Sequence, residues 1–478
     1  MSPSSSVRVR VIHWFRRDFR ISDNTALNAA CAAGAEVIPV YVQSSWHRHH
    51  RWTGSVRQEF LCGCLRSLDG NLRTAGGRLI VRRGQADVEL GRLIQETGAT
   101  AVYFNRDPDP FGKEMEGRVA RVCAELGVES LGFKDHFLHE FGEVRTGEGG
   151  PFRVYTPYGR VWRALPKALP GSVAVNLRTP AEVASLPLPE LSSWGLAPSG
   201  AQPVEPGERA ARERLRHALE GPLRSYGDDR NTPDGQSTSR LSQDLRFGLL
   251  SIREIYNRAL AAREGSQTKT QRDSYDKFIG ELAWREFYGS ILAVWPEVLD
   301  LEFNPQWRGL PWGEADERFA RWTRGETGFP IVDAGIRELL ATGFMHNRVR
   351  MIVAMFLTKD LQIDWRHGEA WFMRHLVDAE IGSNNGGWQW SAGTGADAAP
   401  YFRIQNPWTQ TKRYDPDGAY IRRWIPELKN VPGAVLATEP SPGLRMASKY
   451  PLPMVKHAEE RDRVLAMFAS HKERMVLV

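Results

Sequence analysis

The chain has 478 residues, enough for two or three domains with substantial cores, and at 41% hydrophobic and 25% charged it has the composition of a soluble globular protein. No apolar run approaches the roughly 20 residues of a membrane span, and with four cysteines there is neither a disulfide scaffold nor, from Cys62 and Cys64 alone, a complete zinc site. A balance of 63 Lys+Arg against 57 Asp+Glu gives a net charge of +6, which permits nucleic-acid binding without establishing it.

The opening MSPSSSVRVRVIHWF has no secretory apolar stretch, so a cytoplasmic protein is expected. Residues 7–15 (VRVRVIHWF) alternate and then turn apolar, which predicts a strand. DNTALNAACAAG (23–34) predicts a helix with an Asp/Asn start and a glycine stop. Further strands are predicted at 36–42, 78–84 and 101–107, with a helix over 56–76 among them. Strands alternating with helices predict a doubly wound parallel α/β domain over residues 1–140. Residues 141–208, rich in Pro, Ser and Gly from 166 onward, read as an inter-domain linker. From 209 to 478 helical patterns dominate, as in SYDKFIGELAWREFYGSILAVW (274–295) and FPIVDAGIRELLATG (329–343).

Common catalytic signatures are missing: the sequence has no Walker A loop, HExxH, GxSxG or dinucleotide fingerprint. The unusual motifs all fall in the helical part. In GELAWREFY, Glu281, Trp284, Arg285 and Tyr288 share one helix face, which therefore combines a carboxylate, an indole, a guanidinium and a phenol. A ligand cavity needs that mixture, although an ordinary Glu–Arg pair on a half-exposed helix also fits it. STSRLSQDL (237–245) places hydroxyls and an arginine before a helical run, suited to an anion. HNRVRM (346–351) and VDAE (377–380) offer a pairing of Arg350 with Asp378. SNNGGWQW (383–390) sets two oxidisable indoles among glycines and carboxamides.

HWFRRDFRISDNTAL (13–27), ELAWREFY, TGFPIVDAGIRELLATGFMHNRVRM (327–351), KDLQIDWRHGEAWF (359–372) and SNNGGWQW…DAAPYFRIQNP resemble, in order, the photolyase/cryptochrome family. Within it the chain is most similar to class I enzymes that repair cyclobutane pyrimidine dimers. The resemblance implies an FAD-binding helical domain and light-driven electron transfer to a dimer flipped out of DNA. It implies that Tyr226, Thr238, Ser239, Arg240, Leu241 and Ser242 hold the diphosphate and ribityl region. Asn384 would lie beside flavin N5, with Asp378 and Glu380 along the ring's polar edge and Arg350 paired to Asp378. Glu281 would bond the dimer, Asn347 and Met351 would line its pocket, and Trp284 and Trp390 would stack against it. Arg230, Arg285, Arg348 and Arg403 would meet phosphates. Trp388, Trp365 and Trp312 match an electron relay from flavin to surface.

Within the resemblance, Asn347 and Met351 stand where enzymes acting on (6-4) products carry histidines, and Asn384 where plant-type receptors usually carry Asp. Repair of cyclobutane dimers is therefore expected, with a cryptochrome-type light receptor or a DASH-type enzyme for single-stranded DNA as alternatives. Glu380 replaces the more usual Asp. Phe111 and Gly112 replace the Asn-Glu pair of folate-binding relatives, so a deazaflavin or second flavin is a better expected antenna than methenyltetrahydrofolate. The expected state is a monomer acting on damaged DNA, without metal or membrane.

Overall fold

Val11, Ile12, Trp14 and Phe15 are all buried, so β1 (Arg10–Phe15) must be covered on both faces. It is the centre of a five-stranded parallel sheet with β2 (Glu36–Gln43), β3 (Ile80–Arg83), β4 (Ala101–Asn105) and β5 (Glu129–Phe133), in the order β3-β2-β1-β4-β5. Register runs from Arg10 opposite Glu36 to Phe15 opposite Tyr41. Helices α1 (Thr25–Ala32) and α2 (Ser55–Thr74) cover the Val11/Phe15 face, and α3 (Ala86–Thr97) and α4 (Pro110–Glu125) cover the Ile12/Trp14 face. The structure, a computed structural model, describes residues 9–33, 36–44, 50–234, 237–398 and 400–476. Residues 7, 8 and 34 of the expected first strand and helix lie outside those described.

Asp23 and Asn24 precede α1, and Asn24 Oδ1 accepts the Leu27 N–H at 3.1 Å, the expected kind of cap. Strand β5 is an addition to the predicted set: ESLGF is a half-exposed edge strand and lacks the apolar run of its neighbours. The 141–208 stretch is more than a tether. It contains α5 (Tyr155–Ala164), whose Trp162 is fully buried and donates its indole N–H to Glu286 at 2.5 Å. Trp194, further along, is 1% exposed.

Beyond residue 207 helices dominate the described residues. The long helix Lys269–Val294 starts where Thr268 Oγ1 accepts the Gln271 N–H. Helix Ile381–Ala392 packs against it and against helix Asn347–Met355, and so lies between two walls. Glycine permits the first of these contacts: a Cβ at Gly386 would lie 2.1 Å from the Tyr288 ring. Gly386→Ala is therefore expected to lose about 1–3 kcal/mol in denaturant unfolding. Gly387→Ala meets nothing within 4 Å and should be neutral or stabilising in flavin-free protein. Equal behaviour of the two variants would show that the close approach does not matter.

Candidate functional site

The long helix presents the face read from its sequence. Glu281, Trp284, Arg285 and Tyr288 are half-buried, while Leu282, Ala283, Glu286 and Phe287 are buried behind them. Trp284 stacks on Tyr155, with centroids 3.6 Å apart and planes 9° from parallel. The Tyr155 hydroxyl donates to the Gly280 carbonyl at 2.9 Å, so the tyrosine is itself fixed and holds the indole in one orientation. Glu281 Oε1 accepts from Arg230 at 2.6 Å. Burial pushes the Glu281 carboxyl up, and Arg230 offsets only part of that.

Arg230 and its neighbour Asn231 connect the two walls. While Arg230 holds Glu281, Asn231 Oδ1 accepts from Arg348 Nη2 at 2.8 Å. Arg348 belongs to helix Asn347–Met355, where Asn347 is exposed and Met351, one turn on, is half-buried. Arg350 donates to Asp378 Oδ2 at 2.8 Å, the pairing read from the sequence. The other Asp378 oxygen, Oδ1, is buried without a partner among the described residues. A bound group carrying N–H donors would complete it. His346 lies next to Asn347 but serves as a cap, its Nδ1 accepting the Arg348 N–H. Burial takes its pKa down to about 4, so it is neutral and ill-suited to acid catalysis.

Helix Ile381–Ala392 forms the floor. Asn384 and Trp390 are half-buried, Gly387 is exposed, and Trp388 is buried. Asn384 Nδ2 donates to the Glu369 carbonyl at 3.1 Å, and the Glu369 carboxylate accepts from Asn385 at 3.2 Å. Glu369 thus orients the carboxamide pair, a role no local pattern announces. The loop suited to phosphate is also built: Thr238, Ser239 and Arg240 line a hollow with Phe344, His346 and Glu338. Arg240 has φ +54°, a left-handed backbone that only a well-held turn sustains, and its guanidinium lies 3.5 Å from the Phe344 ring centroid. Leu241 is buried, Ser242 opens the short helix Ser242–Arg246, and Tyr226 is half-buried against Phe278.

Of the three relay candidates, Trp388 and Trp365 are buried and Trp312 is half-buried. Trp388 packs on the helix Trp365–His375 at Gly368, where a Cβ would lie 2.1 Å from its ring.

Two expected site residues turn elsewhere. Arg285 does not face solvent: its side chain is 9% exposed and donates to Glu380 at 2.8 and 3.0 Å. It is thus not offered to phosphate. Glu380, expected beside Asp378, instead accepts from Arg17 at 2.6 Å and contacts His136 at 3.0 Å. The reason lies in the sheet. Arg17 follows β1 and Asp107 follows β4, at the carboxyl ends where strand order reverses, and Arg17 bonds Asp107 at 2.9 Å. Glu380 completes that cluster. Burial would raise its pKa, but Arg285, His136 and Arg17 hold it well below the usual range. Its contribution to stability is full above about pH 4.5 and is lost as pH falls towards the depressed value. Acid titration of the melting temperature should therefore show a steeper loss in the wild type than in Glu380→Gln. Parallel curves would remove Glu380 from the acid response.

Comparison with known proteins agrees with this architecture. Residues 11–178 match the family described as DNA photolyase, and residues 278–470 match the FAD binding domain of DNA photolyase. The chain is 38% identical to the deoxyribodipyrimidine photo-lyase of Synechococcus sp. over 96% of both chains. It is 39% identical to that of Agrobacterium fabrum, over 97% of this chain and 98% of the relative. A bacterial class III photolyase structure from Agrobacterium tumefaciens matches with TM-score 0.91 and 37% identity, over 99% of this chain and 100% of the other. An archaeal photolyase from Sulfolobus tokodaii with two FAD molecules matches at 0.83 and 29%, over 97% and 100%. A Synechocystis cryptochrome matches at 0.88 and 29%, over 96% and 99%. The chain belongs to the photolyase/cryptochrome family, with an α/β domain and a helical FAD-binding domain. The Agrobacterium structure is described as class III, a different subgroup from the class I enzymes that the motifs resemble.

Proposed function

We propose that this protein is a deoxyribodipyrimidine photo-lyase that reverses cyclobutane pyrimidine dimers in DNA by light-driven electron transfer. One observation carries the reading. Glu281 and Arg348 both bond the loop at residues 230–231, so the carboxylate suited to a base edge and the arginines suited to phosphate share one mouth. Asn347 and Met351 belong to the same wall without an imidazole acid, and neutral, buried His346 does not supply one.

Reduced FAD, when bound, supplies a photoexcitable one-electron donor. The residues around it bind and orient. Tyr226, Thr238, Ser239, Arg240, Leu241 and Ser242 would hold the diphosphate side, and Asp378, fixed by Arg350, would accept an N–H of the ring. Asn384, oriented by Glu369, would serve the ring's reactive edge. The Trp284 face turned away from Tyr155 stacks with the lesion, as does Trp390. Arg230, Arg348 and Arg403 meet phosphates, and exposed Phe402 beside Arg403 adds an apolar ring. Illuminating reduced protein with duplex carrying one defined dimer should restore thymine, and little should be recovered from a (6-4) product. No recovery from the dimer with flavin fully reduced would favour the light-receptor reading. Preference for single strands in the same assay would favour a DASH-type enzyme.

For the antenna, a deazaflavin or second flavin is favoured over folate. Phe111 packs edge-on against Trp52 at 5.5 Å, and a Cβ at Gly112 would lie 2.4 Å from Asp107, so a larger residue at 112 would have to displace the loop. The Sulfolobus protein with its two FAD molecules supports the same direction. Reconstitution with each chromophore and gel filtration tests it; stoichiometric retention of folate alone overturns it. The reading places a monomer in the cytoplasm, and sedimentation with and without DNA checks the oligomeric state.

A further inference from the structure

Glu302 is 2% exposed and lies between two of the three relay tryptophans. Its Oε1 accepts the indole N–H of Trp365 at 3.2 Å and that of Trp312 at 3.3 Å. Its Oε2 pairs with Arg366 at 3.2 Å, and the Arg366 guanidinium also lies 4.6 Å from the Trp365 ring centroid. Trp388 has no such partner among the described residues: its Nε1 is buried and unbonded, and Phe372 lies against its ring at 4.9 Å. Trp322, which also abuts Trp388 at 6.2 Å, donates its N–H to the neutral carbonyl of Val353 at 3.4 Å. Of these four indoles, Trp365 and Trp312 alone bond a carboxylate among the described residues.

An indole that loses an electron becomes a cation, and its N–H becomes a stronger donor. A negative charge at hydrogen-bond distance in a buried site favours that state more than a neutral carbonyl does. We propose that Glu302 gives the relay its outward direction by making Trp365 and Trp312 easier to oxidise than Trp388. The inference rests on the relay reading of these tryptophans. In electron terms, Trp388 gives one electron to photoexcited oxidised flavin, Trp365 gives one to Trp388, and Trp312 gives one to Trp365. An external thiolate then re-reduces Trp312 and is oxidised towards a disulfide. No bond of the protein forms or breaks, and both indole protons stay on nitrogen, bonded to Oε1. Because that oxygen is shared almost equally, Glu302 does not choose between Trp365 and Trp312. Trp312's partial exposure does, since water stabilises charge there.

The test uses the flavin-loaded protein and two variants of opposite expected sign. Glu302→Gln keeps an acceptor and removes the charge, while Arg366 stays anchored on Asp364 at 3.0 Å. The yield of oxidised Trp312 in transient absorption should fall about tenfold, equivalent to about 1.4 kcal/mol. Arg366→Gln leaves the carboxylate uncompensated and should raise that yield or lengthen the lifetime. Ultraviolet resonance Raman in the dark reads the indole hydrogen bonds without any photochemistry, and should show two weakened N–H bonds in Glu302→Gln. A wild-type yield and decay in Glu302→Gln, with those bonds visibly changed, overturns the proposal. So does a fall in yield in Arg366→Gln, the arm that decides if Glu302→Gln does not retain flavin. Undiminished photoreduction in Trp388→Phe would instead sink the relay itself, which keeps the two failures apart.

Discussion

Trp388→Phe is expected to reduce photoreduction of oxidised flavin to background while leaving repair by chemically reduced protein intact. Trp388 lies on the floor helix and is buried against Gly368, on the helix that begins at Trp365. Phenylalanine fills most of the same space but is far harder to oxidise. The smaller ring leaves a void, and a stability loss of about 1–3 kcal/mol is expected beside the functional effect. The measurement is flavin bleaching under blue light with an external thiol, followed by repair after dithionite reduction. Loss of both activities would mean that the site had collapsed; survival of both would remove Trp388 from the relay.

Glu281→Ala should have the second large effect, cutting repair while FAD stays bound. A charged hydrogen bond to the lesion is worth about 1.5–3 kcal/mol, or about 10–150-fold in kcat/KM. The effect on undamaged DNA should have the opposite sign. Arg230, released from the 2.6 Å contact that occupies its Nη1 on Glu281, gains a further donor for phosphate, so nonspecific affinity should hold or rise. Trp284→Ala should lose about 1–3 kcal/mol of binding to damaged DNA through stacking. It also strips Tyr155 of its stacked partner. Equal losses on damaged and undamaged duplex in either variant would show that the residue acts on the fold and not on the lesion.

The sheet is legible in the sequence because strands buried on both faces leave continuous apolar runs, and β5 escapes notice because an edge strand does not. Helical spacing picks out the face holding Glu281, Trp284, Arg285 and Tyr288, but spacing says nothing of depth. Arg285 and Glu380 show the limit. Sequence places each beside its neighbours, yet each finds a stronger partner far along the chain, in one another and in Arg17 and His136. Glu302 and Glu369 are invisible for the same reason. Their partners Trp365 and Asn385 are brought to them by tertiary packing, which no local period records.

The cluster at the carboxyl ends of β1 and β4 also bears on how the chain can be divided. Arg17 bonds Asp107 within the sheet domain and Glu380 in the helical one, and Arg57 of α2 donates to the Met373 carbonyl across the same boundary. Cutting the chain between the two would take Arg17 and His136 from Glu380, leaving it Arg285 alone and leaving Arg17 with Asp107 and Asp109, and breaking such a buried pair costs about 3–5 kcal/mol. Neither half should then be a free-standing module, even though each matches its own sequence family. The α/β half and the helical half are expected to melt in one calorimetric transition, and to be recovered from separate expression only when both fragments are made together.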